Sequence, residues 1–208
     1  IAVIDSGVGG ISVLRELIAL MPNENFIYFG DSANAPYGSK SRDEVLKITR
    51  RNLEFLKERG IKALVVACNT ATSAAVRVLR GEESELVIVG IEPAIKPPSV
   101  ELDHPRVLVM ATPLTLKEEK FNLLAERFAE DEQIIPLPCP GLVELIEDGH
   151  IDSPELDEYL EKLLSPYKNQ KIDALVLGCT HYPHIKKAII RHLSPGIRVY
   201  DGGEGTAR

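Results

Sequence analysis

An excess of basic charge is missing from this chain of 208 residues: 24 Lys and Arg stand against 31 Asp and Glu, a formal net charge of −7. Aromatic residues are only 5% of the total, and no Lys/Arg cluster interleaves with them. A polyanionic backbone finds neither a steering field nor stacking partners here, which argues against nucleic acid as a partner. The same field repels small anions slightly, so an anionic ligand must be held by local hydrogen-bond donors. Long apolar runs are missing too. No stretch approaches the roughly 20 residues needed to cross a bilayer. The opening IAVIDSG reads as a strand and turn without the basic flank of a targeting segment. The expectations are no membrane partner and a cytoplasmic location. Cysteine is scarce: Cys68, Cys139 and Cys179 are odd in number and widely spaced, which argues against a disulfide framework and predicts reduced thiols. There is no initiator Met, and the sequence stops at GEGTAR after an expected strand without a closing element, so both ends read as trimmed.

What is present reads as a globular α/β protein. Hydrophobic residues make up 44% of the chain and charged residues 26%, enough apolar material for a buried core and too much for a disordered class. Short Val/Ile-rich runs alternate with helix-length amphipathic segments, the pattern of βα units feeding a parallel sheet. It predicts strands near 1–4, 26–29, 62–67, 86–90, 106–110, 133–137, 172–178 and 197–200, and helices near 10–20, 41–59, 70–79, 115–130, 140–148, 153–166 and 183–193. Pro93, Pro97, Pro98 and Pro105 interrupt regular structure and mark a boundary between two halves. ALVVAC at 63–68 echoes ALVLGC at 174–179. Each half is thus expected to present a Cys at the carboxyl end of a parallel strand, where open α/β sheets bind their ligands.

Four motifs carry possible chemistry. Asp5-Ser6-Gly7-Val8-Gly9-Gly10 follows the first strand, and its glycines would let backbone N–H groups approach an anion at a helix start. The dinucleotide fingerprint fails, because Ser12 stands where Gly is needed and no P-loop Lys follows. Two readings stay open: a tight turn capped by Asp5, or a carboxylate that acts on a ligand. Gly30-Asp31-Ser32 and Ala35-Pro36-Tyr37-Gly38 carry turn chemistry. They read either as loop punctuation or as a place where backbone N–H groups and the Tyr37 hydroxyl bind a carboxylate.

Cys68-Asn69-Thr70 and Cys179-Thr180-His181 are the most informative pair. A single Cys after a strand is usually a small buried hydrophobe. Here both are followed by hydrogen-bonding side chains where a helix is about to begin, and a helix N-terminus lowers a thiol pKa from about 8.5. A thiol so placed can serve as an acid or a base near neutral pH. Zinc held by Cys179, His181 and His184, with Cys68, is the rival, although no Cys-x-x-Cys pair supports it. Redox exchange between the two thiols lacks that motif as well. His181 is placed to exchange a proton with a thiol, and Glu147 in LVELIEDG reads as part of a solvated acidic helix face.

Taken together, DSGVGG at 5–10, YFGDSANAPYGSKS at 28–41, VVACNTATSAA at 65–75, VMATPLT at 109–115 and LGCTHYP at 177–183 closely resemble the glutamate racemase family, in the right order and essentially end to end. Glu118, Phe121 and Glu144 depart from its usual Ser, Tyr and Pro. The resemblance implies an α/β fold of two similar domains, each a mostly parallel sheet flanked by helices, with the active site in the cleft between them. The first domain would span 1–93, with 201–208 returning to it, and the second 94–200. It implies racemisation of L- and D-glutamate without cofactor or metal. Cys68 would act as base on D-glutamate and Cys179 on L-glutamate, Asp5 assisting the first thiol, His181 and Glu147 the second. Ser6, Tyr37, Gly38, Asn69, Thr70 and Thr180, with Asp5 and His181, would hold the substrate. A homodimer and supply of D-glutamate for bacterial peptidoglycan are further implications. Racemisation of aspartate or another amino acid by the same thiols, and non-catalytic amino-acid binding, remain as alternatives.

Overall fold

The Val/Ile runs pair into two separate sheets. A computed structural model describes residues 1–128 and 133–208, excepting the side chains of Lys120 and Leu124. The first sheet holds β1 (Ala2–Asp5), β2 (Ile27–Gly30), β3 (Ala63–Val66) and β4 (Val87–Gly90), in the order β2-β1-β3-β4. The second holds β5 (Arg106–Ala111), β6 (Gln133–Pro138), β7 (Ala174–Leu177) and β8 (Arg198–Asp201), in the order β6-β5-β7-β8. Every pairing is parallel. Both faces of the central strands are covered, which is why these segments are continuously apolar. Ile4, Leu64 and Val66 pack with Leu53 and Leu56 on one face, while Val3 and Val65 meet Val13 and Leu17 on the other. In the second sheet Leu108, Met110, Leu175 and Leu177 point one way, and Val107, Val109 and Val176 the other.

The strand order locates the ligand site. Connections leave β1 and β3 in opposite directions, and the same holds for β5 and β7, so each sheet opens a crevice beyond those carboxyl ends. The loops at these two switch points carry Asp5, Cys68, Thr112 and Cys179.

Helices α1 (Ile11–Leu20) and α2 (Arg42–Lys57) follow the expected periods. Ser41 and Glu44 form a reciprocal capping box that satisfies backbone donors at the start of α2. The expected helix 70–79 is realised as α3 (Asn69–Ala71), a π-helical turn (Thr72–Val76) and α4 (Arg77–Glu82). The proline-rich boundary is not wholly irregular: α5 (Lys96–Glu101) occupies it, with proline in the first turn, where its missing N–H removes no intrahelical bond. The single helix expected over 115–130 is instead α6 (Pro113–Lys117) and α7 (Glu119–Phe128), separated where Glu118 adopts an extended backbone. Its expected last two residues lie outside the described residues. Helices α8 (Leu142–Glu147), α9 (Pro154–Leu164) and α10 (Lys186–Arg191) complete the second half. GEGTAR does carry a closing element, α11 (Gly203–Ala207), which packs on α1 and adds Ala207 to the cluster around Val13 and Leu17. Among the described residues no helix is long and apolar enough to cross a membrane.

Candidate active site

Cys68 follows β3 and Cys179 follows β7, so each sheet delivers one thiol to its switch point. The two halves meet over them, leaving Cys68 6% and Cys179 7% exposed. Several hydrogen bonds cross this contact. The Thr180 hydroxyl donates to Asp5 Oδ2 at 3.0 Å, and Ser12 Oγ reaches the Thr180 carbonyl at 3.3 Å. The Val8 N–H donates to Glu147 Oε1 at 2.9 Å, and His181 Nε2 bonds the same oxygen. Asp5 serves both readings left open for it. Its Oδ1 accepts the Gly7 N–H at 2.9 Å, capping the turn, while Oδ2 faces the second half. Glu147 is not a solvated helix face, because its carboxylate ties α8 to the loop after β1.

The thiols differ from expectation in their electrostatics. Cys68 caps α3 and accepts the Ala71 N–H at 3.4 Å, as its position at a helix start implies. Burial nevertheless pushes its pKa up to about 12, reinforced by the charges of Asp5 and Cys179, and the Ala71 and Ser6 hydrogen bonds only partly oppose this. Desolvation and like charge outweigh one short helix end. Hydrogen bonds draw the two thiol loops together: Cys68 donates to Ser6, next to Asp5, and Thr180, next to Cys179, donates to Asp5. Cys179 is not at an α-helix start: a 3-10 turn (Tyr182–Ile185) intervenes before α10. Its sulfur lies 3.7 Å from His181 Nδ1. Burial also raises the pKa of Asp5, against the charge of His181 and hydrogen bonds from Gly7 and Thr180.

His181 is the cation of this cluster. Burial disfavours its charged form, but hydrogen bonds to Cys179 and Glu147, with the charges of Cys179 and Asp5, prevail and raise its pKa from 6.5 to about 10. Glu147 shifts the other way, lowered chiefly by the His181 hydrogen bond. A raised histidine stabilises the fold fully below its unfolded pKa and loses that stabilisation as pH rises through its folded pKa. The urea midpoint is therefore expected to fall between about pH 6.5 and 9, a window below the titration of the buried Cys68, and His181→Asn should flatten the slope. Equal slopes in the two proteins would refute the assignment of the imidazolium.

A second cluster lies beside Cys68. The hydroxyls of Thr70, Thr112 and Thr115 form a closed triangle, with Oγ1 separations of 3.0 Å (70 to 112), 3.2 Å (70 to 115) and 2.9 Å (112 to 115). All three residues are buried. Gly38 packs against it so closely that a Cβ there would stand 2.9 Å from Thr112 Cβ. Gly38 and Thr112 also line an open cleft of about 320 Å³ between the halves. Thr112 and Thr115 were not among the residues singled out from sequence; their Thr-x-x-Thr spacing, with Thr112 capping α6, was the available signal. The Tyr37 hydroxyl, by contrast, is not free to bind a ligand carboxylate. It donates to Asp31 Oδ2 at 2.7 Å and accepts from Asn52 Nδ2 at 3.2 Å, because the loop folds it inward to satisfy a buried carboxylate. Ser6 Oγ accepts from the Cys68 thiol at 3.7 Å, and Asn69 Oδ1 is buried without a hydrogen-bond partner. Among the described residues, no group of three or more His, Cys, Asp or Glu is arranged to hold a metal ion, so Cys68, Cys179, His181 and His184 form no such cluster.

Fold and site together define a two-domain α/β protein in which each sheet presents a thiol to the contact between the domains. The profile of the Asp/Glu/Hydantoin racemase family matches residues 1–208, and the chain belongs to that family. It is 53% identical over 207 residues to a glutamate racemase of Clostridium acetobutylicum, covering 99% of this chain and 80% of that protein. A glutamate racemase of Clostridium kluyveri is 54% identical over 206 residues, covering 98% and 79%. Among solved structures, Escherichia coli glutamate racemase in complex with L-glutamate and the activator UDP-MurNAc-ala superposes with a TM-score of 0.90 at 34% identity, covering 100% of this chain and 79% of that one. Glutamate racemase from Francisella tularensis in complex with D-glutamate gives a TM-score of 0.84 at 30% identity, covering 99% and 77%.

Proposed function

We infer that this chain interconverts L- and D-glutamate, with the thiols of Cys68 and Cys179 as the acid and base. The observation that carries this reading is the delivery of one thiol from each of two switch points to loops that Asp5, Ser6 and Thr180 join across the domain contact. Racemisation of a substrate that does not turn over in its site needs one acid/base group on each face of Cα. The unpartnered Asn69 Oδ1 and the Asp5 carboxylate are acceptors suited to an ammonium. A cation brought there would offset the charge of Asp5 and lower the cost of a Cys68 thiolate.

From D-glutamate, the Cys68 thiolate takes the proton from Cα, and the electron pair passes into the α-carboxylate as an enediolate. The Cys179 thiol then gives its proton to the opposite face, leaving Cys68 protonated and Cys179 as thiolate. From L-glutamate the sequence reverses. The Asn69 amide is a donor available to the developing enediolate, Thr180 can join it only by giving up its bond to Asp5, and exclusion of water strengthens such bonds. His181, held by Glu147, faces Cys179 and stabilises its thiolate.

The side-chain carboxylate is assigned to Thr70, Thr112 and Thr115, whose hydroxyl hydrogens now serve one another, and to the backbone at Tyr37 and Gly38. Thr112→Val is expected to raise KM for glutamate about tenfold, the scale of one hydrogen bond to a charged group, with a smaller change in kcat. Steady-state kinetics in both directions check this. The defining test is incubation with L-glutamate in deuterated water. D-Glutamate should accumulate with deuterium at Cα. Aspartate racemised in its place, or glutamate bound without change of optical rotation, would replace this reading.

Action as a cytoplasmic homodimer supplying D-glutamate for bacterial peptidoglycan completes the proposal. Sedimentation velocity measures the oligomeric state directly.

A further inference from the structure

We propose that the open cleft above the threonine triangle is the substrate's entry port, and that Lys40 and Lys117 at its wall form a capture point for the anionic amino acid. The inference rests on the glutamate reading above and adds how the ligand arrives. The chain carries a net charge of −7, so an anion approaching at random is repelled. The cleft departs locally from that field. It is lined by one lysine from each half, Lys40 ahead of α2 and Lys117 at the end of α6, with Glu144 as its carboxylate. Among the described residues neither ammonium is within ion-pair distance of a carboxylate, whereas the nearby Arg42 is paired with Glu118 at 3.7 Å. Glu44, which also feels the charge of Lys40, is held chiefly by its hydrogen bonds to Ser41 and makes no ion pair with that lysine. Gly38 and the buried Thr112 line the same cleft, and Thr112 touches Thr70, two residues from Cys68. An anion held between the lysines is thus already beside the assigned carboxylate subsite.

Charge focused in a cleft acts on capture and not on proton transfer at Cα. The doubly substituted K40Q/K117Q protein is therefore expected to show kcat/KM for L-glutamate reduced by about tenfold at low ionic strength, with kcat retained. K40R/K117R should behave like the parent. In the parent, kcat/KM should fall as salt rises through KM alone, and the Gln variant should lose most of that dependence. Parental kcat/KM and salt dependence in the Gln variant would place the port elsewhere while leaving the racemase reading intact. Should the Gln variant fail to fold, the salt titration of the parent still decides, and a flat profile overturns the capture point. Absence of deuterium exchange from glutamate in the parent would instead remove the substrate assignment on which the port depends.

Discussion

Replacement of either Cys68 or Cys179 by serine is expected to abolish racemisation of glutamate, with a loss of at least about 10³-fold in kcat, the scale of a positioned acid or base. A serine hydroxyl is nearly isosteric but far less acidic, and neither position holds a strong neutral base able to ionise it. Asp5, whose charge acts on Cys68, already has its two oxygens engaged by the Gly7 N–H and the Thr180 hydroxyl. The two variants should fail differently. Each retains one thiol on one face, so Cα–H exchange with deuterated water, or elimination from a β-chloro amino acid, should persist for a single enantiomer. The retained enantiomer should be opposite in the two proteins. Full racemisation by either variant would end the two-thiol mechanism, and exchange of the same enantiomer by both would show that the sulfurs do not face opposite sides of Cα.

Gly9→Ala is expected to reduce kcat about 100-fold without unfolding either half, as a displacement on the order of an ångström at a reacting site does. A Cβ at Gly9 would lie 2.5 Å from His181 Nδ1 and 2.7 Å from Thr180 Oγ1. Neither neighbour can swing aside freely. His181 is held between Cys179 and Glu147, and Thr180 donates to Asp5. The halves must therefore separate, which draws the second thiol and its histidine away from the first. Gly81→Ala is the control, because a Cβ at that α4 position meets nothing within 4 Å. It should leave kcat unchanged and raise stability by about 0.4–1 kcal/mol through the unfolded chain. Rates for both variants, with urea midpoints alongside, make the comparison. Wild-type turnover by Gly9→Ala would show that close approach at this point is dispensable.

The motifs carrying Cys68 and Cys179 were legible because their chemistry is local: a strand, a sulfur, then hydroxyl and amide side chains at the start of the next element. The α/β alternation was legible for a similar reason, since strands buried on both faces need continuous apolar runs. Glu147 was not legible as a cross-domain group. Its partners, Val8 and His181, are far from it in the chain, and an acidic residue near a helix end reads as solvated until the facing surface is known. Tyr37 misled in the opposite direction, because only the folded loop reveals that Asp31 takes its hydroxyl. The helix at Lys96–Glu101 escaped notice because proline density looks the same whether it falls inside a helix or in its first turn.

By itself, the order of residues determined which segments are buried strands, where the chain turns, and which side chains end up at strand ends. These follow from periodicity and backbone chemistry over a few neighbouring positions. Tertiary structure alone decided that the two strand-end thiol loops meet across the domain contact, that burial raises the Cys68 pKa despite its helix cap, and that His181 bridges a thiol and a carboxylate. Those are properties of desolvation and of distances across a domain contact, and no local pattern encodes how closely two separately folded surfaces approach.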